Sequence, residues 1–519
     1  MTGLAGKTAS WDALVSGLTI APGTHEQVEV RAPFTGAVIG SIPLGRGEDV
    51  KMAIGAARAA QSAWAAQPHR KRARIFLRFH DLLLRRQDDV LDLIQLETGK
   101  ARAHAFEEVL DTAVVARYYA RRAKRFLRPR WRKGALPLLT HTTEVRVPAG
   151  VVGFITPWNF PLTLGITDAI AALLAGNTVV LKPDLQTSFT ALWAVNLLRE
   201  AGLPSDAFCV VAGDGPVAGQ ALADRADYLM FTGSSQVGRS VAAKAGARLV
   251  GCSVELGGKN PLIVLADADL KSAAAGAVRA CFAGAGQICI SAERIYVHKA
   301  VYSDFLEMFA DRTREIRLGV AFDYSMEVGS LTTAAQLAKV EEHVRDAVAK
   351  GASIVAGGRR RPDLGPLFFE PTILTGVTDG MRVFNEETFG PVASVYSVDS
   401  EEEAIQRANA TPYGLSAGIW TRNARRGAKL ARAIRAGSVN VNEGYAAAWG
   451  SVDSPIGGMK ESGVGARHGA EGILKFTEPQ TIAVQRLLPI APSHGMSQAF
   501  FARWMTRLVR ILRRTPWLG

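Results

Sequence analysis

The chain is poor in the features that mark secreted, membrane-spanning and metal-binding proteins. Only four cysteines occur in 519 residues, too few for a disulfide framework, and their spacing matches no zinc motif. The amino terminus has no apolar core behind a basic start, and the most apolar stretch, residues 164–181, contains Asp168 and Asn177. These absences predict a cytoplasmic globular protein without a signal peptide, a membrane span or a metal site.

Acidic residues are missing from two strongly basic segments. Residues 117–133 contain nine Lys and Arg, residues 499–519 contain five Arg, and neither segment contains Asp or Glu. Without these 14 charges the net charge of +13 would be −1, so the basicity is confined to the two segments. This distribution argues against nucleic-acid binding by the body of the protein.

Short apolar runs alternate with helical stretches over most of the chain. The runs are residues 151–155, 179–183, 208–213, 228–233, 261–265, 294–298, 392–398 and 416–421. Short buried strands separated by helices predict parallel sheets with crossover helices, here as two α/β units joined near residue 260. Helical periodicity is predicted over residues 48–66 and 70–125, and Pro129 is expected to end the second run.

Cys289 stands in a setting that the other three cysteines lack. It follows Gly284 and Gly286 in FAGAGQICIS, and glycines allow the backbone to approach a substrate closely. A thiol near the start of a helix or turn can also be held partly as the reactive thiolate. The alternative is a small buried apolar side chain, which is our interpretation of Cys281.

Two polar residues lie at the ends of apolar strands. Glu255 in VELGGKNP is either a structural ion-pair partner or, beside Cys289, a base that activates water. Asn159 in TPWNFPL is either a turn former or an amide donor to a developing oxyanion.

The segment FTGSSQVGRS, residues 231–240, resembles a P-loop but has Arg239 where a lysine is required. This defect argues against a nucleoside-triphosphate site. A helix beginning here would still suit a pyrophosphate. No GxGxxG motif lies at a strand–helix joint.

An ordered set of motifs resembles the aldehyde dehydrogenase superfamily over roughly residues 30–485. The motifs are TPWNFP, LKP, FTGSSQVG, VELGGKNP, GQICIS, NEETFGPV, YGLSAGIW and PIGGMKESGVG. The 34-residue separation of Glu255 and Cys289 also agrees with the family pattern. Within the superfamily, the chain is most similar to bacterial succinate-semialdehyde dehydrogenases with an extended C-terminus.

The resemblance implies an α/β fold of two doubly wound domains, a Rossmann-like cofactor domain and a catalytic domain, with a small β arm for oligomerisation. The implied divisions are 1–130 and 150–258 for NAD(P) binding, 259–445 for catalysis, 131–149 and 446–490 for bridging and oligomerisation, and 498–519 for a basic amphipathic helix. A homodimer or homotetramer is implied.

The resemblance also implies a role for each matching residue. Cys289 would be the nucleophile, and the amide of Asn159 and the backbone N–H of Cys289 would hold the thiohemiacetal oxyanion. Hydride transfer to NAD or NADP would leave a thioester, and Glu255 would activate the water that hydrolyses it. The implied cofactor-binding residues are Thr156, Pro157, Trp158, Lys182, Asp184, Gly233, Ser234, Gly238, Leu256, Glu387 and Phe389.

Two departures from the family pattern bear on cofactor and substrate. Leu185 stands where many NAD-preferring relatives carry an acid, so NADP⁺ acceptance is predicted, although the adjacent Asp184 could partly restore NAD⁺ preference. Thr167 stands where better-understood relatives carry an Arg for a distal carboxylate. Succinate semialdehyde would then need another cation, for which Arg467 is one candidate.

A hydrophobic or aromatic aldehyde is the rival substrate. Its tunnel would be walled by Trp158, Phe160, Tyr445 and Trp449, unless these aromatic residues simply pack the core.

The C-terminal segment has the pattern of an amphipathic helix. Four arginines, at positions 503, 507, 510 and 514, share one helical face, and apolar side chains gather largely opposite. This pattern predicts either peripheral contact with an anionic membrane or docking on a neighbouring subunit.

Overall fold

A computed structural model describes residues 11–135, 140–486, 490–493 and 495–514. Its α-helices are α1 Trp11–Val15, α2 Gly47–Ala65, α3 His69–Arg85, α4 Gln87–Thr98, α5 Arg102–Leu127, α6 Pro161–Leu174, α7 Ser188–Glu200, α8 Gln220–Ala223, α9 Ser235–Ala247, α10 Leu270–Phe282, α11 Tyr302–Arg314, α12 Ala334–Ala349, α13 Arg382–Asn385, α14 Glu401–Asn409, α15 Ala424–Ala431, α16 Ala446–Gly450, α17 Glu471–Leu474 and α18 Gln498–Arg514.

Its strands are β1 Gln27–Arg31, β2 Val38–Pro43, β3 Arg130–Arg132, β4 Thr140–Pro148, β5 Val151–Ile155, β6 Thr178–Lys182, β7 Phe208–Val210, β8 Tyr228–Thr232, β9 Gly251–Glu255, β10 Asn260–Val264, β11 Ala292–His298, β12 Ser353–Ala356, β13 Thr372–Thr375, β14 Val392–Val398, β15 Ser416–Trp420, β16 Ser438–Val441, β17 Gly463–Val464 and β18 Thr477–Gln485.

The first large sheet has the order β17-β9-β8-β5-β6-β7, and all its pairs except β17–β9 are parallel. Every residue of β5, β6 and β8 is buried, because helices cover both faces of the sheet. The chain order reverses between β5 and β8, and a crevice forms at the carboxyl ends of strands at such a switch point. Asn159 follows β5, Gly233 follows β8 and Glu255 ends β9.

The second large sheet has the order β12-β13-β14-β11-β10-β15-β16, parallel except for β12. It encloses a separate apolar core that includes the stacked rings of Phe282 and Phe309. Cys289 lies in the loop between α10 and β11 of this unit. The predicted two-domain α/β architecture is therefore confirmed.

A three-stranded sheet of order β18-β4-β3 is separate from the two large sheets. Strands β4 and β18 pair along nine residues, from Thr477 opposite Pro148 to Gln485 opposite Thr140. Trp131, Ile482 and Val484 of this sheet are exposed. Within the described ranges, no helix is both long enough and apolar enough to span a bilayer.

Two details differ from the sequence-based expectations. The helical run predicted over 70–125 is three helices, because the chain turns at Arg86 and again at Gly99, which has φ +74° and caps α4. Residues 463–464, expected in a bridging segment, form β17 and extend the first sheet beside Glu255.

Candidate active site

Cys289 lies where two cavities meet. One, of about 280 Å³, is bordered by α5, α6, α10 and α16, and the other, of about 200 Å³, by the carboxyl ends of β5 and β8 and by the loop 387–389. Cys289, Asn159 and Leu164 line both cavities. A reagent in either cavity can therefore reach the same sulfur from opposite sides.

An unusual turn fixes the loop that carries Cys289. Gly284, Ala285 and Gly286 all have left-handed backbone conformations, with φ of +58°, +57° and +70°. A Cβ atom at Gly286 would lie 2.1 Å from the carbonyl oxygen of Gly390, so only glycine permits this packing. The amide of Asn260 donates at 2.8 Å to the carbonyl oxygen of Cys289 and holds the loop from the other side.

The thiol of Cys289 is protonated at neutral pH in this state. Burial and the carboxylates of Glu387 and Glu255 together raise its pKa to about 12, although the Arg467 guanidinium opposes them. The expectation of a partly ionised thiol at a turn is therefore wrong, because desolvation outweighs the turn's backbone dipoles. The thiol needs a base to accept its proton as it reacts.

Asn159 is held with its amide beside the cysteine loop. Its side-chain Nδ2 donates to the backbone carbonyl oxygen of Gln287 at 2.9 Å, and the backbone carbonyl oxygen of Asn159 accepts from Lys100 Nζ at 2.6 Å. Lys100 is fixed in turn by an ion pair of 2.7 Å with the buried Glu108. A side-chain amide has two hydrogens, so a second donor of Asn159 remains for an oxyanion near Cys289.

Glu255 has the properties of a general base. It is buried at the end of β9, and its Oε1 has no hydrogen-bond partner among the described residues. Burial is the main reason that its pKa is raised to about 7; within that balance Arg467 and Lys475 lower the pKa and Asp168 raises it. A carboxyl group with this pKa exchanges protons readily at neutral pH.

The expected nicotinamide-binding residues lie in the 200 Å³ cavity. Gly258 N–H donates to Glu387 Oε1 at 2.8 Å, and a Cβ atom at Gly257 would lie 2.3 Å from Glu387 Oε2. Phe389 has φ +56° and meets Trp158 edge-to-face, with ring centroids 5.7 Å apart. Trp158 therefore lines the 200 Å³ cavity and not the 280 Å³ cavity, which Phe160, Tyr445 and Trp449 line.

Glu293 and Lys259, which the sequence analysis missed, support this loop. They form an ion pair inside the protein, and Glu293 accepts the backbone N–H groups of Thr388 and Phe389. Both residues read as ordinary charged positions in the sequence. No local pattern shows that the two side chains meet 34 residues apart and are buried.

The remaining expected cofactor residues fall into two groups. Pro157, Gly233, Ser234 and Leu256 line the cavity, and Ser234 caps α9 by accepting from Val237 N–H. Gly238 packs against Leu256, since its Cβ would lie 2.3 Å from that side chain.

Thr156, Lys182 and Asp184 lie farther along the same sheet edge. Thr156 N–H donates to the carbonyl oxygen of Lys182, and Lys182 Nζ donates to Gly213 O at 3.0 Å. Burial lowers the pKa of Lys182, whereas Asp184 and Asp214 raise it. Asp184 accepts from Gln186 N–H at 3.0 Å, and the neighbouring Leu185 packs against the core.

The 280 Å³ cavity is lined mainly by apolar groups, including Phe160, Tyr445 and Trp449. Its lining also contains Arg279, which pairs with Glu107 at 3.2 Å and with Glu443 at 3.4 Å. Thr167 is buried and donates to Thr163 O within its own helix, so it does not border this cavity.

Arg467, the candidate cation of the sequence analysis, is also absent from this lining. It pairs with Asp168 at 2.5 Å on the Glu255 side of the sulfur. Arg239, in the segment resembling a P-loop, pairs with Glu461 at 2.6 Å.

Comparisons with known proteins agree with this geometry. The aldehyde dehydrogenase family model matches residues 20–482. A protein of Mycolicibacterium smegmatis named putative succinate-semialdehyde dehydrogenase [NADP(+)] is 51% identical over 483 residues, which are 93% of each chain.

Solved structures give the same result. The crystal structure of an Escherichia coli NADP-dependent enzyme has a TM-score of 0.85 and 36% identity, covering 89% of this chain and 95% of that one. The NAD⁺ complex of a Bacillus cereus aldehyde dehydrogenase has a TM-score of 0.85 and 33% identity, covering 89% and 93%. The family match over residues 20–482 and the relative 51% identical over 93% of the chain show that the chain belongs to the aldehyde dehydrogenase family.

Proposed function

We propose that this enzyme oxidises succinate semialdehyde to succinate with NADP⁺ or NAD⁺ as acceptor. The main observation behind this reaction is the position of Cys289, which borders both the 280 Å³ cavity and the 200 Å³ cavity that contains Glu387 and Phe389. The naming of relatives about 50% identical over nearly the whole chain supports this substrate.

The chain's own groups supply the steps at sulfur. The Cys289 thiol adds to the aldehyde carbon as it loses its proton, and the free hydrogen of the Asn159 amide stabilises the oxygen that gains charge. Glu255, with a pKa of about 7, is ionised in a substantial fraction of molecules and can take up a proton. A bound nicotinamide supplies the hydride acceptor that this oxidation requires.

The residues of the cofactor side fit a dinucleotide. Glu387 and Phe389 would position the nicotinamide riboside, and Ser234 with the first turn of α9 would hold the pyrophosphate. Lys182 would bind the adenosine ribose. Leu185 carries no charge to repel a 2′-phosphate, which supports use of NADP⁺.

Leu185→Glu should lower kcat/KM for NADP⁺ about tenfold relative to Leu185→Gln and leave kcat/KM for NAD⁺ within about twofold. The Gln variant controls for the loss of apolar packing, since it has the same size without the charge. Steady-state kinetics with both cofactors measure the effect. Equal changes for the two cofactors would show that position 185 does not face the ribose.

Arg279 is the cation that we assign to the distal carboxylate of succinate semialdehyde. It lines the substrate cavity, and its guanidinium lies over the ring of Tyr445, 5.2 Å from the centroid. The Arg279 side chain is 48% exposed and its ion pairs with Glu107 and Glu443 span 3.2 and 3.4 Å, so exchanging one of them for a substrate carboxylate costs little.

Arg279→Gln should raise KM for succinate semialdehyde about tenfold and leave KM for butanal unchanged, because only the first substrate carries the carboxylate. Lys271→Gln, on the exposed side of the same helix α10, is the matched control. A medium-chain aliphatic or aromatic aldehyde is the alternative substrate, and the mainly apolar lining of the 280 Å³ cavity is the observation that supports it. A wild-type preference for hexanal or benzaldehyde over succinate semialdehyde would establish that alternative.

We also propose that the protein assembles as a homodimer or homotetramer through the sheet of β3, β4 and β18. The exposed apolar side chains of Trp131, Ile482 and Val484 support this role. We also propose the domain divisions that the resemblance implies, with cofactor binding by residues 1–130 and 150–258 and catalysis by residues 259–445.

Helix α18 is proposed to rest on an anionic membrane surface. No side chain of α18 is buried, and the helix presents Trp504 and Val509 beside five arginines and no acid. This combination of apolar surface and positive charge matches an interfacial helix. Residues 515–519, included in the sequence-based helix, lie outside the described residues.

The intact protein should sediment with phosphatidylserine-containing vesicles and not with pure phosphatidylcholine vesicles, and deletion of 498–519 should abolish the binding. Replacing Arg503, Arg507 and Arg510 by Gln should weaken it while preserving the apolar side chains. If the deletion changes only the oligomeric state, α18 docks on a neighbouring subunit instead.

A further inference from the structure

A third and much smaller cavity adjoins Cys289 and shares part of its lining with the 280 Å³ cavity. Its volume is about 30 Å³, and its lining includes the side chains of Thr232, Glu255, Cys289, Ser438 and Arg467. This volume is large enough for one or two water molecules. Because Glu255 Oε1 has no partner among the described residues, a water here would satisfy a buried oxygen that is otherwise unsatisfied.

Arg467 is fixed rigidly beside this cavity. Its Nη1 lies 2.5 Å from Asp168 Oδ2, and its Nη2 donates to Thr232 Oγ1 at 2.6 Å. Lys475 Nζ donates to the other oxygen of Asp168 at 2.9 Å. The Arg467 and Asp168 side chains are each only 5% exposed, so this ion pair lies inside the protein.

We propose that Arg467, held by Asp168, is a positioning residue for hydrolysis of the acyl group on Cys289, because its charge lies beside this cavity and acts on Glu255 and the departing sulfur. The inference rests on the proposed function, since it concerns the second half of the same reaction. The evidence for this inference is that Glu255, Cys289 and Arg467 together line one water-sized cavity.

The hydrolytic step balances with water as the only co-reactant. The water oxygen bonds to the thioester carbon as its proton passes to Glu255, and the carbon–sulfur bond breaks as the resulting tetrahedral intermediate collapses. The sulfur leaves as a thiolate, which later recovers a proton from Glu255, and the acyl group leaves as the acid. Arg467 stabilises the carboxylate before the attack and the thiolate after it.

The charges that face Glu255 make opposite predictions for two neighbouring substitutions. Arg467 and Lys475 lower the pKa of Glu255, whereas Asp168 raises it. Arg467 is itself faced by Asp168, Glu255, Cys289 and Asp111, and His468 lies close to Asp168. Removing the charge of Arg467 should therefore raise the pKa of Glu255, and removing the charge of Asp168 should lower it.

The test uses the full-length enzyme and 4-nitrophenyl acetate, which acylates a thiol without a cofactor. The nitrophenol burst reports acylation of Cys289, and the later steady rate reports hydrolysis of the acyl-enzyme. Arg467→Gln should reduce the steady rate about tenfold and change the burst amplitude by less than about twofold. The pH at which the steady rate rises should move up in Arg467→Gln and down in Asp168→Asn.

Two further variants separate positioning from folding. Arg467→Lys keeps the positive charge and should recover most of the steady rate, and it remains informative if Arg467→Gln does not fold. Arg58→Gln removes an arginine from a surface ion pair with Asp227 and should behave as the wild type.

Equal losses of burst and steady rate, or pH profiles that move together in the two variants, would overturn the inference. Oxidation of succinate semialdehyde by the wild type is measured separately. A wild-type enzyme that does not oxidise succinate semialdehyde would overturn the proposed substrate, but the ester measurements would still test the role of Arg467.

Discussion

The active site depends on one constraint, which is that the loop bearing Cys289 must pass between two α/β units without room for a side chain at Gly286. Three successive left-handed residues turn the chain there, and Gly286 packs against the carbonyl oxygen of Gly390. That contact brings the segment 387–390, which contains Glu387 and Phe389, next to the sulfur. The remaining partners, Asn159 and Glu255, arrive from strand ends of the other sheet. The meeting of the two units therefore creates the site.

Burial controls the electrostatics of this junction. Desolvation is the largest of the causes that raise the pKa of Cys289 to about 12 and those of Glu255 and Glu387 to about 7. Two internal ion pairs flank the thiol. Lys259–Glu293 fixes the cofactor loop, and Arg467–Asp168 lies behind the base. A buried pair is costly to form, so both pairs are better explained by the positions and charges that they fix than by stability.

The sequence predicted most of the fold because strand and helix periodicities are local. Buried apolar runs such as residues 151–155 and 228–233 correctly predicted their strands, and the ordered motifs predict Cys289, Glu255 and Asn159 as the catalytic residues. Contacts between distant segments were beyond this reasoning. The sequence offers Arg467 as a candidate cation for the substrate, yet in the structure it pairs with Asp168, the neighbour of Thr167. The sequence predicts a lowered pKa and a partly ionised thiol for Cys289, whereas burial raises its pKa. The burial of this turn cannot be judged from the local sequence. Trp158 illustrates the same limit, since only the fold decides which of two cavities a ring borders.

In the proposed mechanism the substrate carbon becomes bonded to Cys289 and is released by water activated at Glu255. The most direct test incubates a Glu255→Gln variant with succinate semialdehyde and NADP⁺, followed by proteolysis and mass spectrometry of the cysteine-containing peptides. The mechanism predicts a succinyl thioester on the peptide that contains Cys289, whereas Cys209, Cys252 and Cys281 should remain unmodified. Oxidation of the aldehyde by a Cys289→Ala variant, or an acyl group on a different cysteine, would contradict it.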